Sequence, residues 1–243
     1  MTKTNKKNLV IFGSGFQAKV IFNSVVTNKK YKFLGFVDNK KINSTVLTFN
    51  KKKYKIIDNL IDCKNLKKIK KLNGVIGIGS NFIRKKVFNK INKTRIKINW
   101  ETIFFKNSNI SENVKIGNGS VIMGNVFINN NSIIGSHCII NSGSLVEHDN
   151  SFSDFSSTGP GVITGGDVSV GDLTHLGMGS IILNGKKIYS NSVIGAGSLV
   201  TKNCKSYSVY YGLPARKIKN RKFNENYRII IMIKFTKNLI PLG

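Results

Sequence analysis

One of the three histidines in the sequence lies between two carboxylates, and this triplet is the first candidate for chemistry. Glu147 precedes His148, and Asp149 follows it. Because an imidazole has an ordinary pKa of about 6.5, it can take up and release a proton at neutral pH. The triplet therefore favours a general base over a solvated corner residue. His137 and His175 match no such motif, and we expect both to lie at the surface.

A second group of candidates follows the first apolar run of the chain. Leu9–Phe12 is typical of a buried strand and leads into Gly13-Ser14-Gly15. Glycines at such a turn let a ligand approach the N-terminus of the next helix, where backbone N–H groups favour an anion such as a diphosphate. Asp38 closes the second apolar run and can accept hydrogen bonds from a sugar or a base. Because a third glycine is absent, the turn alone fits a nucleotide-sugar site, an NAD site or a plain turn.

A parallel sheet must position these N-terminal candidates. Apolar runs and segments of helical periodicity alternate over the first hundred residues. Strands are predicted at 9–12, 33–37 and 75–78, and helices at 18–26 and 81–91. Alternation at this spacing predicts an α/β, Rossmann-like domain over residues 1–105.

His148 lies in a six-residue repeat that starts at Ile110 and continues to Val200. Every sixth residue is large and apolar except at Thr158 and Thr164, and the residue four places later is usually small or β-branched. A helix would repeat at 3.6 residues and a strand at 2, so the pattern predicts short strands joined by tight corners. With three hexads to a coil, it predicts a left-handed parallel β-helix over residues 106–219.

The net charge of +28 lies outside the repeat, because residues 110–200 hold three lysines and six acidic residues. Lysine-rich surfaces neutralise phosphates, so charge alone would suggest nucleic acid. The excess lysine accompanies abundant Asn, Ile and Phe, which favours compositional bias over nucleic-acid binding, and we expect no nucleic-acid partner. A membrane-surface role is the other interpretation. The basic tail, residues 220–243, is expected to pack on the β-helix or to contact an acidic surface.

The cysteines and the apolar runs indicate the cellular location of the protein. Cys63, Cys138 and Cys204 are far apart and odd in number, which favours free thiols over disulfides or a metal knuckle. No secretory signal is recognisable, and the run Ile229–Ile233 is much shorter than the roughly 18 residues of a membrane span. We therefore expect a cytoplasmic protein without a membrane span.

Six segments of the chain carry a resemblance to a known family. They are IFGSGFQAKV at 11–20, GFVDN at 35–39, IGSNFIRK at 78–85, NSGSLVEHDN at 141–150, GAGSLVTKN at 195–203 and GLPARKI at 212–218. Together they resemble the sugar O- and N-acetyltransferases of the sialic-acid and bacillosamine type. This hexapeptide-repeat family has a nucleotide-sugar-binding domain in front of its β-helix, and the resemblance reaches to about Lys219.

The resemblance implies transfer of an acetyl group from acetyl-CoA to an amino group of a nucleotide-activated amino sugar, in bacterial surface-glycan biosynthesis. His148 matches the general base of the family, and Asp149 matches the acidic neighbour that orients the imidazole. Ser157, Met178 and Ala196 match positions that contact acetyl-CoA. Acetyl-CoA would lie between neighbouring β-helices of a homotrimer, and no metal is implied.

The same resemblance assigns the nucleotide sugar to the N-terminal domain. The matching substrate-binding positions are Ser14, Gly15, Asp38, Asn39 and Gly79, with Asn81 and Arg84 nearby.

The sequence departs from the family at two places. Ser157 stands where a D-F-x-H stretch of the family has a histidine near the thioester, and residues 13–19 lack one glycine and one histidine of the family's GxGGHxK. A sugar O-acetyltransferase of the sialic-acid type and a non-catalytic β-helix scaffold therefore remain alternatives. Zinc carbonic anhydrases share the β-helix, but they need closely spaced histidines that this chain lacks.

Overall fold

The computed structural model describes residues 6–225, and its N-terminal part is an α/β domain. The elements of this domain are β1 (Lys7–Phe12), α1 (Phe16–Thr27), β2 (Tyr31–Val37), β3 (Thr45–Phe49), β4 (Lys52–Asp58), a 3-10 turn (Leu66–Lys68), β5 (Leu72–Ile76), α2 (Asn81–Lys93) and β6 (Ile98–Trp100). The strand order is β3-β4-β2-β1-β5-β6, and all neighbours are parallel except the hairpin β3–β4. The prediction of a Rossmann-like parallel sheet is confirmed.

Both faces of the central strand β1 are buried, which explains its unbroken apolar run. Leu9 and Ile11 pack with α1, whereas Val10 and Phe12 pack with Val87 and Ile91 of α2. Gly77, which follows β5, also lets α1 approach the sheet closely, because a Cβ on Gly77 would lie 2.7 Å from the Cα of Ala18. The sheet thus holds the N-termini of α1 and α2 at the same edge, after β1 and β5.

The second domain is a stack of short parallel strands. These are β7 (Ile103–Phe104), β8 (Asn109–Ile110), β9 (Lys115–Ile116), β10 (Val121–Ile122), β11 (Phe127–Ile128), β12 (Ile133–Ile134), β13 (Ile139–Ile140), β14 (Leu145–Val146), β15 (Ser151–Phe152), β16 (Ser157–Thr158), β17 (Ile163–Thr164), β18 (Ser169–Val170), β19 (His175–Leu176), β20 (Ile181–Ile182), β21 (Lys187–Ile188), β22 (Val193–Ile194) and β23 (Leu199–Val200). A hairpin of β24 (Ser208–Gly212) and β25 (Ala215–Asn220) follows.

From β7 to β20, each strand pairs with the third strand after it, so the stack has three faces. The first face contains β7, β10, β13, β16, β19, β22, β24 and β25, the second β8, β11, β14, β17, β20 and β23, and the third β9, β12, β15, β18 and β21. The inward side chains of the ladder are almost fully buried, as at Ile122, Ile140 and Ile194. Each such burial contributes about 2 kcal/mol. The predicted left-handed parallel β-helix is confirmed.

The corners show a second six-residue regularity. One residue per corner has a positive φ, at every sixth position from 107 to 197. Most of these residues are Gly, Asn or Asp, which tolerate the left-handed conformation best. His137, Phe155 and Leu173 are bulky exceptions, and they are stacked on successive coils at the corner between the third and first faces.

The N-terminal domain packs on the first face and on this corner. Outward residues of the first face are buried, including Ile103, Val121 and Ile139. Between β6 and the β-helix, Glu101 accepts hydrogen bonds from Lys7 Nζ at 3.0 and 3.1 Å and from the Tyr31 hydroxyl at 3.1 Å. β7 already belongs to the first coil, so the two domains adjoin without a linker.

Three further predictions concerned membrane spans, the cysteines and the basic tail. Within residues 6–225, no helix is long and apolar enough to cross a membrane. Cys63, Cys138 and Cys204 are buried free thiols, and burial raises their pKa to about 11, 11 and 12. Residues 226–243, most of the predicted basic tail, lie outside the described residues.

Candidate active site

His148 lies at the corner between the second and third faces and is held by its neighbour. Its Nδ1 is 2.7 Å from Oδ2 of Asp149, and both side chains are about half exposed. Because the carboxylate only accepts, Nδ1 carries the proton of this bond and the lone pair of the neutral ring is on Nε2. The imidazole therefore presents a basic nitrogen to solvent.

The backbone around the imidazole is fixed by the corner itself. Asp149 has a φ of 59°, a conformation that Asp tolerates, and its N–H donates to Asn130 O at 3.0 Å. The side-chain amide of Asn150 donates to the carbonyls of Glu147 at 2.7 Å and Gly165 at 2.8 Å. These bonds join the coil of His148 to the coil before it and to the coil after it.

The charges of the corner favour the protonated imidazole. The hydrogen bond to Asp149 raises the pKa of His148 above its usual value, with smaller contributions from Glu147 and Asp167. Conversely, hydrogen bonds from His148 and Asn131 lower the pKa of Asp149. Asp149 is therefore ionised near neutral pH and can stabilise an imidazolium.

Gly166 makes room for the imidazole, and sequence reasoning missed it. A Cβ at this position would lie 2.5 Å from Cε1 and 2.7 Å from Nε2 of His148. Gly166 follows His148 by three hexads, which is one coil along the stack. That spacing, together with the glycine type, is a signal in the sequence that could have identified it.

The predicted substrate-binding residues line one cleft at the edge of the N-terminal sheet. The cleft has a volume of about 420 Å³ and contains all five of them, namely Ser14, Gly15, Asp38, Asn39 and Gly79. The Ser14 hydroxyl donates to Asp38 Oδ2 at 2.7 Å, and the Asn39 N–H donates to Oδ1 of the same carboxylate at 2.7 Å. The N-termini of α1 and α2 both open into this cleft, which suits an anion.

Phe16 stands at the rim of this cleft, in the stretch that departs from the family. It also lines the cleft and is 83% exposed.

Asn81 and Arg84 lie beside the cleft, because Arg84 donates to the carbonyls of Ile78 at 2.9 Å and Gly79 at 3.1 Å, two residues that line it. Neither lines the cleft, because both side chains turn towards the β-helix and are almost fully buried. Arg84 donates to the carbonyls of His137 at 2.7 Å and Phe155 at 3.0 Å, and Asn81 Nδ2 donates to Thr174 O at 3.0 Å. Their role is to satisfy carbonyls of the corner on which the domain is packed.

His137 is not a surface residue, so that prediction was wrong for it, whereas His175 is partly exposed. His137 is 2% exposed, stacks on Phe155 at 5.1 Å and contacts Phe88 and Trp100. Its burial, and secondarily the charge of Arg84, lower its pKa to about 4.

His175 is partly buried on the first face and bonds to Ser157, a residue that was expected to contact acetyl-CoA. The Ser157 hydroxyl is 2.9 Å from His175 Nδ1 and donates to Asn81 Oδ1 at 2.8 Å. Ser157 is only 3% exposed. This placement disagrees with the predicted thioester contact, because the hydroxyl already has two partners beneath the N-terminal domain. We assign Ser157 to domain packing.

Met178 and Ala196 are accessible, in contrast to Ser157. They lie one above the other at the corner between the first and second faces, where the Gly197 N–H donates to Met178 O at 2.8 Å. Met178 is 60% exposed. Between this corner and His148, the second face presents exposed Ile163 and Ile181.

Within one chain, the cleft and His148 lie on opposite sides of the β-helix. The cleft belongs to the domain that covers the first face, whereas His148 lies at the corner opposite that face. Among the described residues, 6–225, no group of three or more His, Cys, Asp or Glu side chains is placed to hold a metal ion.

Two family models match the sequence and together cover more than half of it. The PglD N-terminal domain matches residues 8–91, and the bacterial transferase hexapeptide (six repeats) matches residues 107–148. The chain belongs to the bacterial hexapeptide-repeat transferases. The predicted membership of this enzyme family is confirmed, and the β-helix carries its repeats. No curated protein gives a significant match.

Several solved structures share the fold of this hexapeptide transferase over nearly their whole length. PerB from Caulobacter crescentus, in complex with CoA and GDP-perosamine, is 25% identical, with 87% of this chain and 97% of that chain covered and a TM-score of 0.76. The acetyltransferase domain of PglB from Neisseria gonorrhoeae FA1090, in complex with acetyl coenzyme A, is 20% identical, with coverages of 88% and 100% and a TM-score of 0.78. WeeI from Acinetobacter baumannii AYE is 21% identical, with coverages of 86% and 99% and a TM-score of 0.65.

Proposed function

We propose that the protein is an acetyl-CoA-dependent N-acetyltransferase that acts on an amino group of a nucleotide-activated amino sugar in bacterial surface-glycan biosynthesis. The observation that carries the proposal is the 2.7 Å bond between His148 Nδ1 and Asp149, which leaves Nε2 as a free base on the β-helix of a hexapeptide transferase. The likeness to PerB, whose structure contains CoA and GDP-perosamine, supports the classes of donor and acceptor.

In the proposed reaction, the neutral amine of the sugar attacks the carbonyl carbon of the thioester. A C–N bond forms and the C–S bond breaks, so that the sulfur leaves with the electron pair. His148 Nε2 takes the proton that the nitrogen loses and returns it to the thiolate, which gives free CoA thiol. Asp149 fixes the tautomer and stabilises the imidazolium while the proton is on the ring.

Acetyl-CoA would lie along the second face. We propose Met178 and Ala196 as its contacts, since both are exposed at the far corner of this face, with the pantetheine passing over Ile163 and Ile181. Ser157 is not among these contacts, because its hydroxyl is buried and bonded to Asn81 and His175.

The nucleotide sugar would occupy the 420 Å³ cleft of the domain formed by residues 1–105. The diphosphate would accept hydrogen bonds from backbone N–H groups at Ser14 and Gly15, as anions do at helix N-termini. The carboxylate of Asp38 and the side chain of Asn39 would contact the ribose or the base, and Gly79 would allow a close approach at the opposite wall. The catalytic domain would be the β-helix predicted over 106–219, together with β7 of its first coil.

A homotrimer would complete the site. The cleft and His148 of one chain lie on opposite sides of the β-helix, so a sugar bound in the cleft must be acetylated by His148 of another copy. The exposed apolar strip of the second face, at Ile163, Ile181 and partly buried Leu199, supports contact between copies there. We propose a cytoplasmic location, where the three buried thiols stay reduced.

The acceptor is tested by a screen with purified protein and acetyl-CoA, in which free CoA thiol is measured against 4-amino and 3-amino nucleotide sugars and sialic acid. Turnover with an amino nucleotide sugar and none with sialic acid is expected. Turnover with sialic acid alone would show the O-acetyltransferase instead. Absence of CoA binding and of turnover with any acceptor would favour the scaffold alternative.

The shared site is tested by mixing two inactive variants. His148→Ala lacks the base, and Asp38→Ala has a damaged cleft. After unfolding and refolding at equal amounts, the whole mixture should recover about a quarter of wild-type activity, because random assembly pairs an intact cleft with an intact His148 at about that frequency. No recovery from trimers that are shown to be mixed would contradict a site formed between copies.

A further inference from the structure

Two adjoining grooves on the N-terminal domain concentrate positive charge that the proposed reaction does not use. The first has a volume of about 600 Å³ and is lined along one side of α2 by Lys85, Lys86, Lys90 and Lys93. The second has a volume of about 540 Å³ and is lined by Lys67, Lys70, Lys71, Arg95 and Lys97. The grooves meet at the C-terminal end of α2, because Lys93 lines one and Thr94 lines the other. We call these nine side chains the basic band.

The basic band lacks anionic partners in the part of the chain that the structure describes. No Asp or Glu lines either groove. The ion pairs within residues 6–225 use other cations, such as Lys7 and Lys30 with Glu101 or Lys64 with Asp62. Nine like charges around two connected grooves create a positive potential that an anionic partner would relieve.

The first groove also has an apolar floor. Phe82 of α2 and Phe223 are in edge-to-face contact with ring centroids 5.2 Å apart, and Phe223 remains 49% exposed. The described chain ends two residues later, at Glu225. In sequence, residues 226–243 contain three cations, no acidic residue and the apolar run Ile229–Ile233. The sequence of this segment therefore has the same combination of positive charge and apolar side chains as the groove.

This combination selects one kind of partner. A bilayer of anionic phospholipids offers both negative headgroups for the cations and an apolar layer for aromatic and aliphatic side chains. A nucleic-acid duplex would satisfy the lysines but would offer no apolar layer to the exposed ring of Phe223. An acidic soluble metabolite would occupy one groove and leave most of the nine charges unpaired.

We propose that the basic band binds the surface of an anionic phospholipid bilayer, so that the enzyme is recruited to a membrane without spanning it. The proposal does not depend on the acetyl-transfer reaction, because neither His148 nor the nucleotide cleft belongs to the band. Each cation close to an anionic surface strengthens binding about fivefold.

The test is cosedimentation of the full-length protein with vesicles of phosphatidylglycerol and phosphatidylcholine, compared with phosphatidylcholine alone. Binding to the anionic vesicles is expected, and it should weaken as salt is raised from about 0.1 M to about 0.5 M. The variant K90E/K93E should bind at least about 25-fold more weakly.

The matched control is K52E/K53E, which changes the net charge equally on exposed residues of β4, outside both grooves. It should keep most of the vesicle binding, and both variants should keep the wild-type melting temperature and acetyl transfer to soluble substrates. Lack of binding to anionic vesicles at low salt would overturn the proposal. So would equal losses in the two variants, since binding would then follow net charge alone. Tighter binding to a DNA duplex than to vesicles, lost in K90E/K93E, would instead identify a nucleic-acid surface.

Discussion

Lowering the pH should weaken the packing between the two domains. His137 is buried between them, and burial disfavours the protonated, charged form of its ring. The ring is 2% exposed and enclosed by Phe88, Trp100 and Phe155. Arg84 lies alongside and donates to the His137 carbonyl at 2.7 Å. Burial, and then the positive charge of Arg84, lower the pKa of His137 from 6.5 to about 4.

The size and sign of this effect follow from linkage. Between pH 6.5 and 4 the unfolded chain binds a proton at His137 and the folded chain does not, so the free energy of unfolding falls as the pH falls. The contribution is fully present above pH 6.5. From pH 7.5 to 4.5 the loss is about 2.5 kcal/mol, since each pKa unit corresponds to about 1.4 kcal/mol.

Urea unfolding at fixed protein concentration, followed at pH 7.5 and 4.5, measures this loss. His137→Asn is the matched variant, because Asn tolerates the left-handed φ of 55° at this corner and does not titrate. The variant is less stable at pH 7.5, where it lacks the aromatic packing, but it should lose about 2.5 kcal/mol less on acidification. Equal losses in the two proteins would refute the assignment to His137.

Three further predictions concern the site and its support. Gly166→Ala should lower kcat at least about tenfold with little change in melting temperature, because the added Cβ would lie 2.5 Å from the His148 ring and displace it. kcat/KM should fall as the pH is lowered through the raised pKa of His148, and Asp149→Asn, which removes the main cause of that shift, should move the inflection to lower pH. Arg84→Met should reduce the free energy of unfolding by about 3 kcal/mol, since it leaves buried carbonyls without donors.

Each of these predictions has its own control. Gly124→Ala adds a Cβ at an ordinary contact of 3.4 Å and should leave kcat unchanged, so an equal fall in both glycine variants would contradict the steric argument. An unchanged inflection in Asp149→Asn would show that the carboxylate does not set the pKa. Lys86→Met, on the exposed side of α2, should change stability by less than about 0.5 kcal/mol. A similar value for Arg84→Met would disprove its support of the corner.

The β-helix could be predicted from the sequence because each inward position is chosen by burial alone. The ladder needs a large apolar residue every six places, and no distant contact alters that requirement. The hairpin β3–β4 was not predicted, since its residues 45–58 mix lysines with apolar side chains and only β4 pairs directly with β2. Its position depends on pairing with β2, which local pattern does not reveal.

The misplaced residues share one cause, which is the covering of the first face by the N-terminal domain. His137 and His175 were expected at the surface because they match no motif, and the repeat alone does not reveal which of its faces is covered. The sequence did contain a sign of the contact: His137, Phe155 and Leu173 occupy a corner position that elsewhere is mostly Gly, Asn or Asp. Bulky residues in a left-handed conformation cost about 1–2 kcal/mol each, so burial must offset that cost.

The general base was predicted from the residues next to it in the sequence. The residues that surround it in space depend on how the coils stack. The bond between His148 and Asp149 is local, and adjacent residues in the sequence suffice to suggest it. Gly166 reaches His148 only because three hexads complete one coil and place the glycine directly beside the ring. The separation of His148 from the nucleotide cleft depends on which face the N-terminal domain covers, and no local pattern encodes that choice.

The most direct measurement of the central claim is single-turnover acetyl transfer by the wild type and His148→Ala, with release of CoA thiol as the signal and an amino nucleotide sugar as acceptor. Loss of a positioned general base should lower the rate by about 10²- to 10⁴-fold, with acetyl-CoA binding and melting temperature unchanged. An equal rate in the two proteins would contradict the account, because His148 would then take no part in the proton transfer.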